Sequence, residues 1–223
     1  MLKKRTLITA IIIILAAFAV ISVIYLNRTK TIATDENTEF GTEIAEIKEE
    51  TASDKILKAG DLTFSEEELT DFQQIRETSS LLENSDESVE DVVDDFIEQE
   101  AMYEKAVEEG YEATDEDFEA YKDEIRTSLE QAENKEEMMG FFESFGGIEG
   151  YFDAMENQLR KSLSTRKYLD SLMNEYANET QQNVSDPEFA GKWIEKEEQI
   201  KQDIAEEANV SEKEKEALVD VIE

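Results

Sequence analysis

The sequence predicts an all-α protein with an N-terminal transmembrane helix, a helical domain outside the membrane, and a short extended piece at the start of that domain. Three observations predict this fold class. Proline occurs once and glycine eight times in 223 residues, so few positions oppose helix formation. From residue 65 onward, apolar residues recur with the 3.6-residue period of amphipathic helices. Residues 7–26 form one continuous apolar run.

This apolar run, LITAIIIILAAFAVISVIYL, has the length of a membrane anchor, because a helix of that length spans about 30 Å. Residues 1–6 carry three basic side chains and are expected to stay in the cytoplasm. We therefore expect a single-pass protein of the cell membrane with an extracytoplasmic C-terminal domain. The alternative is secretion after signal cleavage at the small-x-small site Ala17–Ala19, although the apolar run continues past that site.

The charge and composition exclude several classes of function. The chain holds 22 basic and 57 acidic residues, a formal net charge of −35. Such a surface repels phosphate groups, so we expect no nucleic-acid partner. The chain contains no histidine and no cysteine, which excludes imidazole and thiol catalysis and the usual zinc and haem ligands. We predict no catalytic residue, no metal and no cofactor, and therefore a protein that is not an enzyme.

The remainder of the chain divides into three parts. Residues 27–53 lack a sustained apolar period and are predicted to be a flexible acidic linker. Residues 54–180 are predicted to form the helical domain, which begins with an extended piece that turns at Ala59-Gly60-Asp61. Residues 181–223 are predicted to form C-terminal helices that pack back on this domain. The predicted helices span residues 65–82, 88–109, 115–139, 148–177, 187–207 and 211–222.

Capping residues mark the predicted helix starts. When a hydroxyl residue stands three positions before an acidic residue, each of the two side chains can accept a hydrogen bond from the backbone N–H of the other residue. This pattern occurs in Ser65 with Glu68, Ser88 with Asp91, Thr114 with Asp117, and Ser211 with Glu214. Asp186 before Pro187 indicates a fifth start, because proline fits the first helical turn.

Three segments, taken in order, carry a resemblance to a known family. They are AGDLTFSEEELTDF (Ala59–Phe72), VVDDFIEQEAMYEKAVEEGYEATDEDFEAYKDEI (Val92–Ile125) and GGIEGYFDAMENQLRKSLSTRKYLDSL (Gly146–Leu172). Their order and spacing resemble the N-terminal chaperone module of SurA-type proteins, the extracytoplasmic foldases that include PrsA. The resemblance implies a helical cradle that holds unfolded or partly folded exported proteins.

The sequence departs from that family at its C-terminal end. In many relatives a parvulin-type proline isomerase domain follows the fourth helix of the module. Only residues 178–223 follow here, and histidine, which is usual in parvulin sites, is absent. The resemblance therefore implies the holding function without isomerase activity.

One short segment is rich in methionine and phenylalanine and ends at two glycines. Such side chains form an adaptable apolar surface that suits varied polypeptide partners. The predicted client-binding residues are Met138, Met139, Phe141, Phe142 and Phe145. The alternative is that they fill the core between the helices predicted at 115–139 and 148–177.

These observations lead to one expected function and one alternative. We expect a membrane-anchored, non-catalytic extracytoplasmic chaperone, or holdase, whose partners are unfolded exported proteins and the cytoplasmic membrane at residues 7–26. The alternative is a dedicated adaptor subunit of a secretion or cell-envelope complex. A holdase accepts many clients and an adaptor accepts one, so the range of clients distinguishes the two.

Overall fold

Nine helices and one two-stranded hairpin form the part of the chain that the structure describes. The structure is a computed structural model, and it describes residues 34–50, 53–83, 88–132 and 135–222. The elements are α1 (Thr34–Glu50), β1 (Ile56–Ala59), β2 (Leu62–Ser65), α2 (Glu66–Glu83), α3 (Val89–Glu108), α4 (Asp115–Gln131), α5 (Lys135–Glu143), α6 (Ile148–Ala154), α7 (Glu156–Thr180), α8 (Pro187–Glu207) and α9 (Glu212–Ile222). The prediction of a mainly helical, all-α fold is confirmed.

The predicted membrane anchor, residues 7–26, lies outside the described residues. Within the described ranges, none of the helices combines the length and the apolar character that crossing a bilayer requires. Residues 1–6 are also outside these ranges, so the anchor and its orientation stay predictions.

Helix α1 lies within the segment that was predicted to be a flexible linker, residues 27–53. Its apolar residues Phe40, Ile44 and Ile47 are spaced so that they share one helix face. Phe40 and Ile44 are only 6% and 3% exposed, and Ile47 packs against the same core. The linker prediction is therefore wrong for residues 34–50. Three apolar residues are too few to reveal a helical period, but they suffice to bury one face.

The five predicted helix starts are confirmed by their caps. At the start of α4, the Asp117 N–H donates to Thr114 Oγ1 at 3.2 Å, and the Thr114 N–H donates to Asp117 Oδ2 at 2.9 Å. This exchange satisfies backbone groups that a helix terminus otherwise leaves unpaired. The other four starts are capped by Ser65, Ser88, Asp186 and Ser211.

Two of the predicted helices are divided in the structure. The helix predicted at 115–139 is α4 followed by α5, and the helix predicted at 148–177 is α6 followed by α7. The second division is a bend at Met155, where φ is −105° and ψ is 8°. Hydrogen bonds continue through the bend, since the Met155 N–H donates to the Tyr151 carbonyl at 3.0 Å and the Leu159 N–H donates to the Met155 carbonyl at 2.9 Å.

The described helices enclose two main apolar cores. The hairpin core joins the hairpin to α2, α3 and α9, and its buried members include Ala59, Leu62, Phe64, Leu69, Val93, Phe96, Ile97 and Leu218. The α5 core joins α1, α4, α5, α6 and α7, and its buried members include Phe40, Ile44, Phe118, Tyr121, Ile125, Phe141, Phe142, Tyr151, Phe152, Leu159 and Leu163. Helices α3 and α7 pack on each other and bring these two cores together.

The hairpin turn docks on the connection between α8 and α9. Gly60 has a φ of 55°, which glycine adopts without strain. The Asp61 N–H donates to the Ala208 carbonyl at 2.9 Å, and the Gly60 N–H donates to Glu214 Oε1 at 3.1 Å. A Cβ at Gly60 would lie 2.1 Å from the Ala208 oxygen, so this close approach requires glycine.

Helix α8 rests on the C-terminal half of α7. Phe189 is 1% exposed and Trp193 is 8% exposed, and both pack with the buried Ala177. The rings of Tyr176 and Trp193 are 6.2 Å apart between centroids. The single tryptophan of the chain therefore anchors α8 on the bundle.

Candidate functional site

The five predicted client-binding residues lie on α5 and in the turn that follows it. Phe141 and Phe142 are 6% and 1% exposed, and they belong to the α5 core. Met138, Met139 and Phe145 are partly buried and pack against that core. We call the surface that these five residues form the α5 face. Two of its members are thus core residues, whereas the other three lie at its edge.

Tyr151 of α6 organises the aromatic side chains of the α5 face. The centroid of its ring lies 5.6 Å from that of Phe141, 5.2 Å from that of Phe142 and 5.3 Å from that of Phe145. All three pairs have the edge-to-face geometry that aromatic rings prefer. Burial raises the pKa of the Tyr151 hydroxyl, so this group stays neutral over the physiological range.

Helix α1 covers the α5 face. The Phe40 and Phe141 rings lie 5.9 Å apart between centroids, and Ile44 is buried in the same core. The two helices approach so closely at Gly41 that a Cβ there would lie 2.5 Å from the Phe141 carbonyl oxygen. The α5 face is therefore occupied by an amphipathic helix from the same chain.

Hydroxyl groups add specific polar contacts between α1 and the end of α5. Ser144 Oγ donates to the Thr38 carbonyl at 3.0 Å and lies 3.1 Å from Thr42 Oγ1. Neutral hydrogen bonds of this kind contribute about 0.5–1.5 kcal/mol each. They set the position of α1 along α5 without introducing any charge.

The position of α1 determines how accessible the predicted client-binding residues are. Phe141 and Phe142 are buried in the α5 core and become accessible only when α1 moves away. The sequence left open whether these residues bind clients or fill the core. Substitution of Phe142 is consequently expected to act first on stability, as for other fully buried phenylalanines.

A polar cavity of about 790 Å³ adjoins the covered face. It lies between α1, the start of α2, the α5–α6 turn and the start of α7, and Phe145 borders both features. Among the described residues, Glu67, Glu68, Asp153 and Glu156 line the cavity together with one cation, Arg160. Four carboxylates and one guanidinium give a net formal charge of −3, and we call this feature the acidic cavity.

A buried ion triad lies behind the acidic cavity. The Lys161 ammonium lies 2.6 Å from Glu68 and 2.7 Å from Glu100, and so joins α2, α3 and α7. Burial raises the pKa of Glu100, and Lys161 acts in the opposite direction. Burial also opposes ionisation of Glu68, but hydrogen bonds from Lys161 and Ser65 outweigh it and lower the pKa of Glu68. Lys161 is thus the ion-pair partner of both Glu68 and Glu100, and the triad has a structural role.

Gln158 is one of the residues that line the cavity. Its side-chain nitrogen donates to Asp71 Oδ2 at 3.2 Å. Its side-chain oxygen is buried and has no hydrogen-bond partner among the described residues. This oxygen is shielded from solvent, so it adds no acceptor to the open space of the cavity.

Two features of this site were missed by sequence reasoning. Gly41 and Ala45 lie in the segment taken as a linker, yet Gly41 permits the close helix approach and Ala45 lines the acidic cavity. The spacing of Phe40, Ile44 and Ile47 places them on one helix face, but three apolar residues are too few to signal a helix in the sequence alone. Among the described residues, no three potential ligands are placed so that they could hold a metal ion together.

Comparisons with protein-family models, with curated proteins and with solved structures find no match to this chain. The resemblance to SurA-type modules is carried by the three sequence segments alone. In the structure, Ala59–Phe72 forms the hairpin turn, β2 and the start of α2, whereas Val92–Ile125 covers most of α3 and α4. Gly146–Leu172 covers α6 and most of α7.

Proposed function

We propose that this chain is a membrane-anchored, non-catalytic extracytoplasmic chaperone that holds exported polypeptides on its α5 face, in the manner of a SurA-like module. The observation that supports the proposal is that α1 packs on that face. An amphipathic helix lying in an apolar groove is a common mode of polypeptide recognition. The same face that binds α1 would bind a client segment of similar pattern.

The apolar contacts on the α5 face supply enough energy for such a role. Burying a phenylalanine or isoleucine side chain contributes about 1.5–3 kcal/mol relative to leaving it exposed. Phe40 and Ile44 are both buried against the face. A client with two such side chains at helical spacing would replace these contacts one for one.

The proposed anchor would place the site close to the membrane. In this proposal residues 7–26 span the cytoplasmic membrane, and α1 begins at Thr34. The seven residues between them reach at most about 25 Å when fully extended. A chain emerging from an export channel would meet the α5 face near the membrane surface, before it folds or aggregates.

Aggregation of chemically unfolded proteins tests this proposal. Full-length protein in lipid nanodiscs would be mixed with several unrelated unfolded clients, and light scattering would be followed after dilution. We expect near-stoichiometric suppression, with empty nanodiscs as the blank. Absence of suppression by a sample whose circular dichroism is helical would contradict the chaperone proposal.

A pair of matched variants locates the activity on the α5 face. Phe145→Ser removes an apolar side chain at the edge of the face, whereas Ile194→Ser removes one that is 68% exposed on α8. We expect Phe145→Ser to reduce suppression severalfold and Ile194→Ser to leave it unchanged. Equal losses in both variants would place client binding elsewhere.

A dedicated adaptor is the second candidate function, and one observation favours it. Among the described residues, the large apolar side chains that are clearly exposed are Ile56, Val184 and Ile194, which are scattered along the chain. A general holdase usually presents a larger open apolar patch. Suppression limited to one client, or one crosslinked partner in the native membrane, would favour the adaptor.

A further inference from the structure

We propose that the α5 face and the acidic cavity together form a docking groove for a basic amphipathic helix, and that α1 is the internal segment which such a helix displaces. This inference rests on the proposed function and adds two things to it. It names the chemical class of the partner segment, and it assigns α1 the role of a competing occupant.

The apolar part of the groove defines the pattern of the occupant. Phe40 and Ile44 fill the buried positions of α1, and Ile47 packs beside them. Gly41 must be small, because the Phe141 carbonyl oxygen lies 2.5 Å from the place of a Cβ. The groove thus accepts an apolar residue followed by a small residue, with further apolar residues three and six positions after the small one.

The polar part of the groove defines the charge of the occupant. Among the described side chains of α1, Ala45 lines the acidic cavity and presents only a methyl group there. Of the charged residues described at this wall, Glu67, Glu68, Asp153 and Glu156 are acidic and Arg160 is basic. A lysine or arginine at the position of Ala45 would meet an excess of carboxylates, which favours a cationic helix.

Arg160 leaves this excess of negative charge in place. Its guanidinium already pairs with Glu156 at 2.7 Å and with Asp115 at 2.8 Å. Lys161 is likewise already shared, because it pairs with Glu68 at 2.6 Å and with Glu100 at 2.7 Å. Cationic side chains with several N–H donors match both the charge and the hydrogen-bonding capacity of this wall.

The charge of α1 makes it a weak occupant of this groove. Residues 34–50 contain seven acidic residues and one lysine, a net formal charge of −6. The whole chain carries a net −35, so the helix is repelled by the domain on which it lies. A basic helix with the same apolar pattern buries the same apolar side chains in the groove, and it is attracted to the acidic domain instead of being repelled. Such a helix therefore displaces α1.

Opposite charges at position 45 test the internal contact directly. Lysine and glutamate have similar helix propensities, so Ala45→Lys and Ala45→Glu differ mainly in the sign of one charge. In full-length protein at low salt, we expect amide hydrogen exchange in α1 to be severalfold slower for Ala45→Lys than for Ala45→Glu. The difference should shrink in 1 M salt because the interaction is screened. Equal exchange rates would overturn the assignment of the acidic cavity to this groove.

Two peptides test the partner class. Both carry the apolar pattern of α1, and their polar positions hold lysine in one and glutamate in the other. By fluorescence anisotropy with full-length protein at low salt, we expect the basic peptide to bind at least about tenfold more tightly. Ala45→Lys should weaken its binding and Ala45→Glu should strengthen it, because these variants hold α1 more and less firmly.

The outcomes separate this inference from the proposed function. Equal affinity for both peptides overturns the basic partner class, while aggregation suppression in the nanodisc assay leaves the chaperone proposal in place. Binding of neither peptide, with suppression intact, overturns the groove itself. Loss of both activities overturns both proposals.

Discussion

The hairpin and helix α1 each pack closely against a neighbouring backbone at a glycine, but different kinds of polar contact hold them in place. A Cβ at Gly60 would lie 2.1 Å from the Ala208 oxygen, and a Cβ at Gly41 would lie 2.5 Å from the Phe141 oxygen. The hairpin turn is also tied by charged side chains, whereas the contacts of α1 with the end of α5 are between neutral groups. Of these two elements, we therefore expect α1 to dissociate from its neighbour more readily.

The polar contacts of the hairpin turn involve charged side chains. The Glu214 carboxylate accepts from the Gly60 N–H at 3.1 Å and caps α9 by accepting from the Ser211 N–H at 2.8 Å. The Asn209 side chain donates to Asp61 Oδ2 at 3.0 Å. Hydrogen bonds in which one group is charged are stronger than those between neutral groups, such as the bond from Ser144 to α1. A binding surface is best covered by the less firmly held element.

Substitution of Gly60 should have the largest effect on stability. Gly60→Ala adds backbone strain at a φ of 55° and a clash with Ala208, so we expect a loss of about 3–4 kcal/mol in urea unfolding. Gly110→Ala is the matched control, because Gly110 has a φ of 84° with no atom within 4 Å of its Cβ position. It should lose only the strain, about 1–2 kcal/mol. Equal losses would mean that the hairpin turn is not packed on Ala208.

Substitution of Gly41 should have a smaller and more local effect. Gly41→Ala gains helix propensity but forces α1 away from Phe141, so we expect a net loss of about 1 kcal/mol. Hydrogen exchange should accelerate in α1 and stay unchanged in the hairpin. Gly191→Ala is the helical control, since nothing lies near its Cβ position, and it should gain about 0.5–1 kcal/mol. Unchanged exchange in α1 would contradict the close packing of α1 on α5.

Acid pH should change hydrogen exchange in the hairpin turn more than in α1, and this is the smallest of the expected effects. Hydrogen bonds from Ser211 and Gly60 lower the pKa of Glu214 below its usual 4.5. A lowered folded-state pKa stabilises the fold above the unfolded-state pKa, and this stabilisation is lost as pH falls through the folded-state value. Below pH 4.5 we therefore expect exchange in the hairpin turn to accelerate relative to α1.

Glu214→Gln provides the control for this pH dependence. The amide keeps much of the size of the carboxylate and removes its titration. The hairpin of this variant should exchange faster at neutral pH and lose the contribution of Glu214 to the acid dependence. An unchanged acid dependence would assign the effect to another carboxylate in this acidic chain.

Much of the fold was predictable because its signals are local. The caps at Ser88 and Thr114 lie within three residues of their partners, so sequence spacing alone revealed them. The long apolar stripes of α3 and α7 repeat often enough to stand above chance. The site was less predictable. The sequence singles out the methionine and phenylalanine segment, but it does not predict the helix that covers it.

The parts that escaped prediction depend on contacts between distant residues. Lys161 and Glu100 are 61 positions apart, and many carboxylates in this chain are equally plausible partners in sequence. The backbone hydrogen bonds of the helix continue through the bend at Met155, and this residue is neither a proline nor a glycine. The sequence therefore contains no signal of the bend. Such features follow from the way amphipathic faces pair in three dimensions.

The sequence by itself determined the helical content, the helix starts, the strong negative charge and the absence of histidine and cysteine chemistry. These properties depend on composition and on neighbours within one helical turn. Only the tertiary structure decided that Phe141 and Phe142 are covered and that α1 covers them. The physical reason is that burial is shared between surfaces: the three apolar residues of α1 become a helix face only where α5 offers a complementary one.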